Sequence, residues 1–351
     1  MDGSQSRLDG NLPSVKSTPL VSICTPTYNR PDLLERAIRS CLAQTFQDFE
    51  IIVTDNSTNE LSAQLISRLN DSLIRYFKNE KNLGPVGNTT RSVSLARGQY
   101  IKILMDDDLL KPQCLEKMVE ALEKNPSAGV AMAPMDLIDE RDKRIFPRFY
   151  VFRKMQYRYR YRVGDGLVDK KTVTKEFLTR DYPCCVPSGV MFRAECFQRF
   201  GLFDEGADFA ADLDKLMEVG TEYDFYYIDQ VLSSWRLMAD NHTARLHQAG
   251  LPVEAFYYIT RKILEKTNAL KLFPADEREK IIRDSFFFCS CRALLNGLAG
   301  FRAKSPKLVW RTIKTIFRED KYFVNKLRLP IFALREIFVS IFPKHQPPAR
   351  E

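Results

Sequence analysis

Tyr100-Ile101-Lys102-Ile103-Leu104-Met105-Asp106-Asp107-Asp108-Leu109-Leu110 sets an apolar run directly against three consecutive carboxylates. The run reads as a buried strand and the carboxylates as its exit. Adjacent negative charges at the end of a buried strand repel one another and lose hydration. A divalent cation relieves both costs, and hard cations such as Mg²⁺ share carboxylate oxygens with phosphate oxygens. The run therefore reads either as a metal–diphosphate site at a sheet edge or as a solvated acidic turn, with Asp108 near the N-cap of a helix from Pro112 onward.

The residues upstream repeat the same grammar. Leu20 to Cys24 reads as a short strand ending in Thr25-Pro26-Thr27-Tyr28-Asn29-Arg30, and Pro31 opens a helix with Leu33, Leu34, Ala37, Ile38, Cys41 and Leu42 at helical spacing. A second strand, Phe49 to Val53, ends in Thr54-Asp55-Asn56-Ser57, and a helix follows from about Glu60 to Leu69. A third strand lies near Ile74 to Phe77, then a loop, then a helix from about Asn88 to Ala96. Strands alternating with helices imply a parallel sheet covered on both faces, an α/β fold. Ligands of such sheets bind beyond the carboxyl ends of the strands. The polar clusters at Thr25–Asn29, Asp55–Ser57 and Asp106–Asp108 all fall there, which predicts one site.

These pieces together resemble glycosyltransferase family 2 and its GT-A fold. The resemblance rests on Pro26-Thr27-Tyr28-Asn29, Val53 to Ser57, Asn82-Leu83-Gly84, Gly87-Asn88 with Arg91, Ala96 with Gly98 and Tyr100, and the acidic run. Downstream it continues through Gly201-Leu202-Phe203-Asp204-Glu205, Asp212, and Val231-Leu232 with Trp235-Arg236, so it spans about Pro19 to Thr243. It implies a Rossmann-like, mainly parallel sheet, and transfer of a sugar from a nucleotide-sugar donor to an acceptor hydroxyl with inversion at the anomeric carbon. UDP is the nucleotide it favours.

Carried over residue by residue, the resemblance assigns Thr25, Pro26, Tyr28, Asp55, Asn88, Arg91, Asp106 and Asp107 to the nucleotide sugar. It assigns Asp108 and Asp106, with His242, to a Mg²⁺ or Mn²⁺ ion, and Asp212 to the general base. Tyr28 could stack on the base and Asp55 accept its hydrogens. Each residue also has a plainer reading: an Asx-turn or cap for Asp55, an exposed helix arginine for Arg91, a helix N-terminal charge for Asp212, a solvated loop for His242. Asp214 and Asp208 are alternatives to Asp212. On a locally extended chain Asp106 and Asp108 would point to one side and Asp107 to the other.

Two positions depart from the family pattern. Met105 stands where many members have an aspartate, and Met238 where many have a histidine two residues after the arginine; Ala211 also replaces a glutamate. These departures keep a non-catalytic nucleotide- or carbohydrate-binding homologue as the alternative reading. Acceptor recognition is expected from Tyr182 to Met191 and from about 145 to 180. The latter interleaves Arg153, Lys154, Arg158, Arg160 and Arg162 with Tyr157, Tyr159 and Tyr161. No nucleic-acid motif accompanies that stretch, so a glycan or lipid-linked acceptor is expected there and nucleic acid is not.

The chain has 351 residues and a net charge of +8. Phe301 to Glu351 holds 12 Lys/Arg against 4 Asp/Glu and accounts for the whole excess. Apolar stripes run through it (Leu308, Val309, Ile313, Ile316, Phe317; then Leu327 to Phe342), and none reaches the ~20 uncharged residues that span a bilayer. Such a tail either lies on an anionic membrane face or packs on the catalytic domain. Residues 1–18 are polar and read as a disordered lead without the apolar core of a signal peptide. The eight cysteines form no metal-binding spacing, which suits a reduced, cytoplasmic setting. No Walker A loop and no Gly-x-Gly-x-x-Gly fingerprint is present. The expected organisation is a GT-A catalytic domain at 19–245, a basic amphipathic helical region at 250–342 and a tail at 343–351.

Overall fold

The computed structural model describes residues 18–145, 164–179, 187–238, 253–302, 306–320 and 322. Residues 1–17, the aromatic–basic stretch from Arg153 to Arg162, Tyr182 to Val186, His242, Leu327 to Phe342 and the tail lie outside them.

The first half alternates strand and helix. In order come β1 (Val21–Thr27), α1 (Pro31–Leu42), β2 (Phe49–Asp55), α2 (Leu61–Leu69), β3 (Ile74–Lys78), α3 (Gly84–Ser94) and β4 (Tyr100–Ile103). Then follow β5 (Leu109–Leu110), α4 (Cys114–Lys124), β6 (Ala128–Met132), β7 (Met135–Ile138), β8 (Arg144–Ile145), β9 (Gly166–Val168) and α5 (Lys170–Thr179). The remainder is β10 (Val190–Arg193), α6 (Ala194–Phe200), α7 (Ala211–Gly220), β11 (Asp224–Tyr227), β12 (Ser233–Arg236), α8 (Glu254–Lys266), α9 (Ala275–Arg302) and α10 (Pro306–Glu319).

Eight strands form the main sheet in the order β3-β2-β1-β4-β10-β6-β11-β9. The first four are parallel, β10 runs against both neighbours, β6 and β11 are parallel, and β9 runs against β11. Strand residues alternate between two cores. Val21, Ile23, Ile51, Val53, Tyr100 and Leu104 face α1 and α4, while Cys24, Ile52, Ile101 and Ile103 face the core that α3, α5 and α7 share. Lys102 interrupts this pattern. It is fully buried, and its ammonium donates to Ser188 O (2.6 Å) and Val190 O (3.1 Å), which supplies the partners that burial of a charge requires.

Strand ends are where the structure differs from the sequence reading. β1 runs on through Thr25-Pro26-Thr27. Cys24 O accepts from Leu104 N at 2.9 Å, so residues 24 and 26 face β4. By Pro26 that neighbour has turned away, so the missing N–H costs no ladder bond. The acidic run is not a helix cap, because β5 intervenes before α4. β5 joins a second, four-stranded sheet in the order β5-β12-β7-β8. Nor does the boundary near residue 250 separate two cores. Phe256, Tyr257, Ile259, Ile263 and Cys289 of the C-terminal helices lie in one apolar cluster with Ile103, Phe203, Ala211 and Leu216.

Candidate active site

Parallel pairing sets the carboxyl ends of β2, β1 and β4 side by side. Thr27 pairs with Asp55 in register, and Thr27 Oγ1 donates to Asp106 Oδ2 at 2.8 Å. Beyond β1 the chain turns through Asn29, whose φ of 53° is left-handed and which Asn tolerates better than most residues. Its amide donates to Ser57 Oγ (2.7 Å) and its Oδ1 accepts from Thr58 N (3.1 Å). The loops after β1 and β2 are thereby fastened together, as the single-site expectation requires.

Met105 to Asp108 is a β-turn, closed by Asp108 N donating to Met105 O at 3.0 Å. The turn overrides the alternation expected of an extended chain. Asp106 and Asp107 both face Arg30, whose Nη1 donates to Asp107 Oδ2 (3.1 Å) and Asp106 Oδ1 (3.5 Å). Asp108 turns elsewhere, and its Oδ1 accepts from the Arg236 amide at 3.0 Å. The Ser188 hydroxyl lies beside this carboxylate, and no other group among the described residues reaches its buried Oδ2. Burial, then the neighbouring Asp107 charge, lifts Asp106 to about 7 and Asp108 to about 8.

Arg236 braces this turn from beneath. It is fully buried, and its guanidinium donates to Asp107 O (2.9 Å) and Asp139 O (2.6 Å). The pairing of β12 with β5 and β7 brings it there. Ser188 supports the turn from the β10 side, its Oγ accepting from Met105 N at 3.1 Å. Met105 itself packs against the large apolar cluster that includes Ala207, Ala210 and Ala211. A thioether suits that environment where a carboxylate would not.

The residues expected to meet the nucleotide divide by how much of each side chain the fold occupies. Asp55 is inaccessible; it accepts from Ser57 N (2.7 Å) and Tyr76 Oη (2.7 Å), with Lys78 at 3.6 Å. The Asx-type bond to Ser57 is the plainer reading given above, now joined by a tyrosine. Both amide hydrogens of Asn88 are taken up by Thr27 O and Thr54 O (3.1 Å each), and its Oδ1 accepts from Asn79 (2.8 Å), so it ties α3 to β1 and β2. Thr25 and Pro26 are buried in β1, and the Thr25 hydroxyl has no hydrogen-bond partner among the described residues. Tyr28, 46% exposed, lies at this edge, whereas Arg91 is half-buried in the last turn of α3 and makes no ion pair among the described residues.

Asp212 occupies the first turn of α7. It is half-buried, its Oδ1 accepts from Leu213 N at 2.8 Å, and burial lifts it to about 7. The two alternatives are placed differently. Asp214 is fully buried and bonded to Lys262 Nζ at 2.6 Å, and Asp208 is exposed. Asp208 adopts φ 51°, ψ −132°, a region that side chains disfavour, so the segment leading to Asp212 is strained. Arg30 and Tyr76 are the site residues that sequence reasoning missed; Ser188 lies in the segment expected to meet the acceptor and here braces the acidic turn. Arg30 carried a signal, since it directly follows the strand-end polar cluster.

Among the described residues no three His, Cys, Asp or Glu side chains converge as a ready-made metal cage. His242 lies outside them.

Comparison with known proteins gives this geometry its family. The sequence model of glycosyl transferase family 2 matches residues 22–201. A glycosyltransferase of Methanocaldococcus jannaschii is 31% identical over 242 residues, which is 66% of this chain and 76% of the relative. GalNAc(5)-diNAcBac-PP-undecaprenol beta-1,3-glucosyltransferase of Campylobacter jejuni is 36% identical over 105 residues, 29% of this chain and 34% of that protein. Among solved structures, S. aureus TarS 1-349 in complex with UDP-GlcNAc aligns with a TM-score of 0.55 at 15% identity, covering 86% of this chain and 93% of that one. A mannosyltransferase of Pyrobaculum calidifontis in complex with GDP-Man and Mn²⁺ aligns with a TM-score of 0.50 at 16% identity, covering 94% and 89%. The sheet that aligns Asp55, Thr27 and Asp106, read with the sequence match that runs through all three, makes this chain a member of glycosyl transferase family 2.

Proposed function

We propose that this glycosyltransferase moves a sugar from a nucleoside diphosphate sugar, UDP favoured, to a hydroxyl of a glycan or lipid-linked acceptor, with inversion at the anomeric carbon. The acidic turn carries the reading. Three carboxylates stand at the carboxyl edge of the parallel strands, and one of them, Asp108, has a buried oxygen that no group other than the Ser188 hydroxyl approaches among the described residues. Such oxygens suit Mg²⁺ or Mn²⁺, which binds one or two carboxylates and leaves its other positions to water and phosphate, so no three-residue cage is needed. Asp108 would hold the ion; Asp106, which here faces Arg30 and accepts from Thr27, would have to turn from those partners to share it. When bound, it would offset the negative charge that gathers on the departing diphosphate.

The chain's own residues supply the rest. Tyr28 and Arg91 would meet the base and phosphates, and Asp55, inaccessible behind Ser57 and Tyr76, would act on the nucleotide only if those bonds opened. Asp212 would take the proton of the acceptor hydroxyl as that oxygen attacks the anomeric carbon and the nucleoside diphosphate leaves. Its ionisation near 7 suits that task. The setting would be assembly of a surface polysaccharide, as in relatives described as acting in colanic acid and succinoglycan biosynthesis.

Calorimetric titration with a panel of nucleoside diphosphates, with Mn²⁺ or Mg²⁺ and then with chelator, tests the donor site. The reading expects one nucleotide to bind, dependent on metal, and Asp108→Ala to abolish the binding. Binding that ignores both chelator and Asp108→Ala would remove the metal from the reading. Failure of a folded sample to bind any nucleotide would remove the donor.

A further inference from the structure

α10 turns its largest apolar side chains outward. Its inward face is Thr312, Thr315 and Ile316, with Asp320 just beyond its end, all nearly inaccessible. Of these four Ile316 is the apolar one, and it joins a small cluster with Val253 and Ala293; Val309 and Ile313 beside it are half-buried. Thr315 and Asp320 are held by polar contacts, Thr315 donating to Glu254 (3.1 Å) and Ser290 to Asp320 (2.6 Å). Trp310 and Phe317, by contrast, are 68% and 55% exposed. They stand seven residues apart, hence on one face and roughly 10 Å apart along the axis. Arg311, Lys314 and Arg318 are exposed between and beside them.

This face also belongs to the part of the chain that carries all the net charge. The acidic groups near it are few. Glu254 pairs with Arg311 (3.1 Å), and Glu319 with Arg318 (2.6 Å) and Arg261 (2.5 Å). Lys314 has no ion-pair partner among the described residues. Packing does not explain an aromatic–basic face over a polar underside, because burying the aromatics inward would have gained more.

We propose that this face of α10 docks on an anionic lipid bilayer, with Trp310 and Phe317 entering the interface and Lys314, Arg311 and Arg318 meeting lipid phosphates. Aromatic side chains favour the headgroup boundary, and basic residues beside them respond to anionic lipid. The contact would lie along the surface, since no described helix is long and apolar enough to cross a membrane. A second copy fits less well, because two basic faces would repel. The proposal is independent of the transfer chemistry, and its test uses no nucleotide.

The chain has two tryptophans, so Trp310 fluorescence can be isolated by comparison with Trp310→Phe. The whole protein is mixed with vesicles of phosphatidylcholine alone or containing phosphatidylglycerol. Co-sedimentation with the anionic vesicles only, with a blue shift absent from Trp310→Phe, is the expected result. Lys314→Ala should weaken binding about fivefold, and Trp310→Ser/Phe317→Ser at least about tenfold. Unchanged thermal melts will show that these exposed substitutions leave the fold intact. Equal binding to both vesicles, or undiminished binding by the double variant, overturns the proposal. So does a blue shift that appears without vesicles as protein concentration rises, which would make the face a contact between copies.

Discussion

Asp212 sits where a general base would have to be tuned, at a helix start whose surroundings lift its carboxyl to about 7. A base works only when ionised, and a raised value means the acid form dominates at lower pH. Turnover at saturating donor should therefore be level above about pH 8 and fall about tenfold per unit below about pH 6. Asp212→Asn should lower kcat by roughly 10²–10⁴-fold, with nucleotide affinity in calorimetry unchanged. A pH profile with its break near 4, or a variant that keeps its kcat, would remove Asp212 from the chemistry. At this scale the sequence announced the three aspartates, because three adjacent charges after an apolar run are conspicuous. It could not announce their directions. The turn at Met105–Asp108 and the position of Arg30 set those, and both depend on strands brought together from distant parts of the chain.

Gly98 shows how an element is held at one residue. A Cβ there would lie 2.6 Å from Ser22 N and 2.8 Å from Val21 C, the backbone of the central strand β1. Gly98→Ala should cost roughly 2–3 kcal/mol in urea unfolding, because β1 cannot yield without disturbing both neighbours. Gly84 differs: open space surrounds it, but its φ is 72°. Gly84→Ala should cost only about 1 kcal/mol, the strain of a left-handed Ala. Equal losses for the two would contradict this distinction. Elements β1 to β4 and the helices between them were legible because each strand is a short apolar run and each helix has an apolar stripe. The helix α3 was read as beginning near Asn88 but begins at Gly84, since Gly-Pro resembles a loop until Pro85 is seen to occupy a first-turn position. The four-stranded sheet was not legible at all: β5 and β8 are two residues each, too short for any alternation to appear.

The C-terminal helices are bound into the catalytic half by charge as well as by packing. Lys262 of α8 bonds Asp204 (2.9 Å), Asp214 (2.6 Å) and Glu218 (2.9 Å), and so fastens α7, whose first turn holds Asp212. Lys262→Met would leave Asp204 and the fully buried Asp214 without their cation, while Glu218 keeps Lys215 (2.5 Å). A loss of about 3 kcal/mol is expected in urea unfolding at pH 7, and partial recovery at pH 5, as Asp214, lifted to about 6 by burial, takes up a proton. Packing makes the larger claim. Sequence alone suggested a boundary near residue 250, where the family resemblance fades and the helical region begins, but resemblance follows the donor site and not the core. Phe256, Ile259 and Ile263 share a cluster with Phe203, Ala211 and Leu216. A chain ending at residue 250 would expose that cluster along α7 and the strands behind it. Expressed alone, residues 1–250 should be insoluble, or else unfold without a cooperative transition in urea and bind apolar dye in its absence. A soluble fragment with a sharp transition would show instead that the sheet completes its own core and that the helices are an appendage.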